Sequence, residues 1–203
     1  MFDDLSSASS VLLRFMHIAF AMLWLGVLFF FALVNGPFQT QLDEATKAKV
    51  NPQLLMRGMR WAKSASLHTV MFGWALFAYK YGSQGLLFVE GHKLSNRAMW
   101  ILAGGCLGTV MWFNVWFIIY PRYRQLLLGL HHGRAVPDAS ALLKTAASAS
   151  KVNLFITGPL LFAMIVPNNF PGWPIVAFAL CSAVGVAFWY IMLKWAYKMN
   201  PLR

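Results

Sequence analysis

The stretch that decides the fold is Met111-Trp-Phe-Asn-Val-Trp-Phe-Ile-Ile-Tyr-Pro121. It closes an apolar run that is long enough to cross a bilayer, which takes about 20 residues of helix. One amide side chain, Asn114, lies within the run. Pro121 and the arginines that follow it indicate where the helix meets water. The sequence therefore predicts a membrane-spanning helix over residues 98–120.

The composition points to the same environment. Hydrophobic residues make up 59% of the chain and charged residues only 11%, against roughly 25% charged in soluble domains. The net charge of +11 is carried by short segments between apolar runs, as membrane orientation requires. We therefore expect a lipid bilayer as partner and no nucleic acid, and a single transmembrane domain over residues 1–203.

Four further apolar runs accompany the first, so we predict an all-α integral membrane helical bundle of about five transmembrane helices. Asn35-Gly36-Pro37 predicts the end of the first helix. Gly158-Pro159 predicts a kink in a short fourth helix. The connecting segments 38–63 and 121–150 are predicted as basic loops, the former with a surface helix near 51–61. The predicted spans are 11–34, 64–81, 98–120, 151–166 and 175–197.

The charge distribution predicts an orientation. Most of the 17 Lys and Arg residues lie in the two long connecting segments and at the C-terminus. The positive-inside rule then places the N-terminus outside and the C-terminus in the cytoplasm. Asp3 and Asp4 replace the positive start of a signal peptide, so we expect the first helix to be retained.

Few residues in the sequence suggest chemistry. Cys106 and Cys181 lie in apolar segments, and no CxxCH haem-attachment motif is present. No GxSxG, HExxH or phosphate-loop motif occurs, and the predicted spans contain no Asp or Glu. The missing carboxylates argue against a pump or cation transporter. We expect that the chain is not an enzyme on its own.

Two histidines lie inside predicted spans, His17 and His68. An intramembrane histidine is costly without a partner, and a helical bundle uses it naturally as a haem ligand. Aromatic residues near His17, including Phe20 and Trp24, would suit a porphyrin. A structural hydrogen bond or an interfacial position remains open for each. His17 is the preferred metal ligand, with haem b as the cofactor.

The predicted spans separate the two histidines. Antiparallel helices would place His17 and His68 on the order of 20 Å apart along the membrane normal, so one haem could not use both. His92 in the outer loop could approach His17. The pair His131-His132 lies in a basic loop, where solvated side chains are expected.

Amides form a second candidate group. Asn114, Asn153 and His68 are all predicted in the inner half of the bundle. They suggest either interhelical hydrogen bonds or a quinone or haem-propionate site, with Arg122, Arg124 and Lys151 supplying positive charge. Gly104 and Gly108 predict close helix packing. The candidate cofactor-binding residues are thus His17, His68, Asn114 and Asn153.

Several motifs resemble the membrane domain of the cytochrome-c-linked bacterial urate hydroxylases. The likeness covers about two-thirds of the chain and is carried mainly by its second half. Leu13–His17 and Trp24-Leu-Gly26 are similar to that domain's first helix. The remaining matching motifs are Asn114–Pro121, Pro137-Asp138, Lys151-Val-Asn153, Thr157–Met164 and Asn168-Asn-Phe-Pro171.

The sequence also departs from that family. It has no cytochrome c part before Arg203 and no histidine in Ser150-Lys-Val-Asn153. The resemblance therefore implies a membrane module of the bacterial inner membrane that acts with redox partners or other membrane subunits. We expect a redox-associated subunit that binds b-type haem and passes electrons within a larger complex. The alternative is a non-catalytic structural or assembly subunit.

Overall fold

The computed structural model describes residues 2–83, 85–89, 93–168 and 175–199. Within them the chain is almost entirely helical, apart from a two-stranded antiparallel hairpin, which confirms the all-α prediction. A 3₁₀ turn, Val166–Asn168, follows α6. The elements are α1 (Phe2–Phe29), α2 (Gly36–Gln39), α3 (Glu44–Phe77), β1 (Phe88–Val89), β2 (Lys93–Leu94), α4 (Asn96–Phe113), α5 (Tyr120–His131), α6 (Ala139–Ile165) and α7 (Ile175–Lys198).

Two prolines predicted to end helices do not do so. π-helical segments, Phe30–Asn35 and Asn114–Ile119, join α1 to α2 and α4 to α5 as continuous rods. In each, the amide that follows bonds five residues back: Gly36 N to Phe31 O, and Tyr120 N to Val115 O. Each proline then stands in the first turn of the next helix, where its missing N–H costs little. A third π segment, Ala78–Ser83, extends α3.

The segment 38–63 is helical over more of its length than predicted. The helix expected near 51–61 is present, but it belongs to α3, which begins at Glu44. Asp43 caps this helix and accepts hydrogen bonds from the Thr46 hydroxyl at 2.7 Å and the Thr46 amide at 2.9 Å. These bonds hold the pKa of the Asp43 carboxyl below its usual value, and the bond from the hydroxyl has the larger effect. Leu55 and Met59 are buried on the same helix, and α3 packs along α5. This apolar face keeps the segment helical despite Pro52.

Other helices are also longer than predicted. The segment 121–150 contains α5 and the first half of α6. The fourth helix, predicted as short, begins at Ala139 and continues through Pro159 to Ile165. Four of the five predicted spans nevertheless fall entirely within one helical rod. The fifth, 151–166, extends one residue beyond the end of α6.

Four helical stretches are long and apolar enough to cross a membrane: Ser7–Gln39, Asn96–His131, Ala139–Ile165 and Ile175–Lys198. The protein is therefore a multi-pass membrane protein. The rod containing α3 has a more polar first half, but it runs antiparallel along α1. Phe31 lies against Gly58, and His17 lies against Gly73. The two helices therefore pair along most of α1. The predicted span 64–81 lies in this rod, which is not among the four stretches above.

The bundle has two distinct ends. The basic end contains the start of α3, all of α5, the start of α6 and the end of α7. The opposite end carries the hairpin, in which Phe88 pairs with Leu94 and Val89 with Lys93; it is called the hairpin end below. The predicted approach of His92 to His17 falls outside the described residues.

Helix α7 joins the bundle through a backbone contact with α6. A methyl group at Gly158 would lie 2.4 Å from Gly185 C, and one at Gly185 would lie 2.7 Å from Gly158 C. Phe29 also stacks on Trp189 with ring centroids 4.3 Å apart. The lack of side chains at both glycines thus sets the separation of these helices.

We expect Gly185→Ala to destabilise the protein by about 1–3 kcal/mol, because neither backbone can move aside without separating α6 from α7. Thermal unfolding in detergent measures this effect. Gly26→Ala is the matched control, since nothing lies within 4 Å of a methyl group there. Equal unfolding temperatures for the two variants would contradict the proposed contact.

Candidate functional site

A cavity of about 590 Å³ lies between α1, α3, α4 and α6, towards the hairpin end. This volume lies within the range of small-molecule and cofactor sites. Its walls are mostly apolar, and its lining in the described part of the chain includes no Asp or Glu. The apolar lining residues include Ile18, Ala21, Met22, Trp24, Leu25, Val70, Leu76, Phe77, Ile101, Leu160, Leu161, Met164 and Ile165.

Glycines form one wall of this cavity. Gly104, Gly105 and Gly108 on α4 all line it. A methyl group at Gly104 would lie 2.7 Å from Met164 Cε, which confirms the predicted close packing at this position. Opposite, Trp74 lies against Gly105, and its Nε1 donates to Thr109 Oγ1 at 3.1 Å. The absence of side chains on α4 leaves a flat surface beside a fixed indole.

His17 lies on the cavity wall and is held by α3. Its Nδ1 lies 2.9 Å from the Thr69 carbonyl oxygen. A carbonyl can only accept, so Nδ1 carries the proton and the neutral ring has its lone pair on Nε2. A methyl group at Gly73 would lie 2.8 Å from His17 Cε1 and 2.9 Å from Nδ1. Glycine at this position therefore lets the imidazole reach the α3 backbone.

Three basic residues line the cavity at the hairpin end: Arg14, Lys80 and Arg97. They come from α1, from the π segment after α3 and from the start of α4. Lys80 lies within electrostatic range of both arginines. Arg14 precedes His17 by three residues, so both occupy one face of α1. The cavity thus joins an apolar interior to a cationic mouth.

His68 does not share this cavity. Its Nδ1 bonds to the Ser64 carbonyl of its own helix at 2.8 Å. Its ring stacks on Phe20 with centroids 4.6 Å apart. The expected 20 Å separation along the membrane normal is wrong, because His68 is adjacent to Thr69, whose carbonyl bonds to His17. The two histidines lie at similar depth, with His68 on another face of α3.

The two asparagines meet as predicted, but without His68. Asn114 Nδ2 donates to Asn153 Oδ1 at 2.8 Å, and Asn153 Nδ2 donates to the Met111 carbonyl at 3.0 Å. Asn153 is only 1% exposed. Arg122 donates to the carbonyls of Phe117 and Ile118. None of these side chains lines the cavity. The asparagine bonds join α6 to the α4 rod near its π segment, and the Arg122 bonds stay within that rod.

The sequence alone missed the cationic mouth and the role of Gly73. Arg14 offered a signal, since it lies within an apolar run three residues from His17. Lys80 and Arg97 are distant in sequence and meet Arg14 only in the fold. Among the described residues, no group of three or more His, Cys, Asp and Glu side chains could hold a metal ion.

Comparison with known families connects this bundle to one of them. The family model described as "Urate oxidase N-terminal" matches residues 82–198, more than half of the chain. The chain belongs to the urate oxidase N-terminal family. The match includes Asn114 and Asn153 and begins after α1 and α3, so His17 and His68 lie outside it. No curated protein and no solved structure matches the chain.

We expect Gly73→Ala to displace His17 from the Thr69 carbonyl, because its methyl group would overlap the imidazole. The NMR signal of a ¹⁵N-labelled His17 ring reports this bond through the protonation of Nδ1. Gly26→Ala should leave that signal unchanged, since its methyl group meets nothing within 4 Å. An unchanged His17 signal in Gly73→Ala would refute the close approach.

Proposed function

We propose that this urate oxidase N-terminal family member is a redox-associated membrane subunit that binds b-type haem in the cavity through His17. It would pass electrons within a larger complex of the bacterial inner membrane, with its N-terminus outside and its basic end in the cytoplasm. The observation that carries the proposal is the hydrogen bond between His17 Nδ1 and the Thr69 carbonyl, at 2.9 Å.

This hydrogen bond prepares His17 for iron. Histidine ligands commonly donate the second ring N–H to a carbonyl, which fixes the tautomer and the ring orientation. The bond to Thr69 fixes the tautomer of the neutral ring with Nε2 as the free nitrogen. His17 has no hydrogen bond at Nε2 among the described residues, and the ring reaches the cavity wall. His17 would therefore be the haem ligand.

The cavity suits the two chemical halves of a haem group. The apolar side chains and the glycine wall of α4 would contact the macrocycle and exclude water. Arg14, Lys80 and Arg97 would bind the propionate carboxylates at the mouth. The other candidates do not reach this volume, since His68, Asn114 and Asn153 do not line it. We assign these three residues to packing and interhelical hydrogen bonds.

Bound haem would supply a one-electron redox centre. The chain's own part is to hold the ligand nitrogen, exclude water and balance negative charge at the mouth. We assign catalysis to partner subunits, in keeping with the family's link to urate oxidation.

The test is a reduced-minus-oxidised visible spectrum of the purified protein from a haem-replete host. We expect a b-type spectrum in the wild type and in His68→Ala, and its near-complete loss in His17→Ala. Added imidazole should restore part of the signal to His17→Ala by entering the vacated space. Size-exclusion profiles and unfolding temperatures confirm that each variant is folded.

Two results would overturn the proposal. One is folded wild-type protein without haem, which would leave the non-catalytic structural or assembly subunit as the function. The other is a haem signal that depends on His68 and not on His17. His68 is the matched control, because it is the second intramembrane histidine and is held by its own helix.

A further inference from the structure

A second surface stands apart from the cavity, on the outer face of α3 at the basic end. Arg57, Arg60, Trp61 and Ser64 line one shallow depression. Their spacing of i, i+3, i+4 and i+7 places them on one face of the helix. All four are exposed, Trp61 to 58%. We call this surface the arginine–tryptophan face.

The N–H donors of Arg57 and Arg60 are not used by other described residues. Within the described part of the chain, neither Arg57 nor Arg60 has a hydrogen bond or an ion pair. Three other cations at this end have partners within the protein. Lys47 pairs with Glu44 at 2.7 Å, Lys63 lies 4.1 Å from the Trp116 ring centroid, and Arg122 bonds to the Ile118 carbonyl at 2.9 Å. Arg57 and Arg60 therefore present guanidinium donors side by side on one helix face.

The same face changes character along the helix. Beyond Ser64 it continues through His68, stacked on Phe20, to Met71, which is 50% exposed. The opposite side of α3 is buried through residues such as Met59 and Ser66. Along this exposed face, two neighbouring guanidinium groups are followed by apolar side chains about two to four helical turns further on. Trp61 lies at the transition, where tryptophan is enriched at membrane interfaces.

We propose that the arginine–tryptophan face binds the phosphate of an anionic phospholipid. Arg57 and Arg60 supply charge-assisted hydrogen bonds to phosphate oxygens, and the Ser64 hydroxyl and Trp61 indole lie beside them. An acyl chain would follow the apolar side chains of Phe20 and Met71, which lie beside His68. Charge complementarity and the polar-to-apolar order along α3 select a lipid over a soluble anion. Basic residues beside a membrane helix attract anionic headgroups.

The test measures lipid binding to detergent-purified protein by native mass spectrometry, with phosphatidylglycerol and phosphatidylcholine of matched acyl chains. We expect the wild type to prefer phosphatidylglycerol, and Arg57→Gln/Arg60→Gln to bind it about tenfold more weakly. Lys49→Gln/Arg134→Gln is the matched control, since it removes two exposed positive charges from the same end. The control should keep the wild-type affinity, and both variants should keep the wild-type haem content.

Three results would overturn the proposal. They are an unchanged affinity in Arg57→Gln/Arg60→Gln, an equal loss in the control pair, and displacement of the lipid by soluble glycerol phosphate. The last result would identify a site for a free phosphate compound. Should the double glutamine variant misfold, Trp61→Ala tests the same face, with a loss of the phosphatidylglycerol preference expected and a retained preference contradicting the site.

Discussion

The hydrogen bond between His17 Nδ1 and the Thr69 carbonyl is the contact on which the rest of the site depends. It joins α1 to α3, and Gly73 leaves room for the imidazole against the α3 backbone. A polar ring buried in an apolar layer is costly without a partner. The bond to α3 meets this cost and leaves Nε2 as the free nitrogen. One contact thus aligns two helices and fixes the tautomer of the candidate ligand.

Helices α4 and α6 complete the cavity beside this contact. α4 contributes Gly104, Gly105 and Gly108 in place of side chains, and α6 closes the far wall. The asparagine pair holds α6 to α4: the buried Asn153 receives a bond from Asn114 and donates to the Met111 carbonyl. Interhelical bonds of this kind are individually modest, about 0.6 kcal/mol on average. Here they fix the separation of two helices that face the same cavity.

Much of the fold followed from the sequence because a bilayer restricts the chain to a few solutions. Apolar runs of sufficient length predicted the helical rods and their number. The ends of the rods could not be predicted from the sequence. Pro37 and Pro121 are ordinary stop signals, but a π turn precedes each of them and the helix continues. The long basic segments were assigned to loops, whereas buried residues such as Met59 hold the first of them as helix. For the site, His17 could be identified from its position in an apolar run. The convergence of Arg14, Lys80 and Arg97 could not, since it depends on tertiary packing.

The central claim is that the cavity beside His17 holds a planar, acid-bearing cofactor. The most direct measurement is an electron cryo-microscopy map of the protein extracted from its native membrane. The account predicts a planar density between α1, α3, α4 and α6, in contact with His17 Nε2 and with its acidic edge towards Arg14, Lys80 and Arg97. A cavity that contains only an acyl chain, or a His17 ring bonded through Nε2 to another protein group, would contradict it.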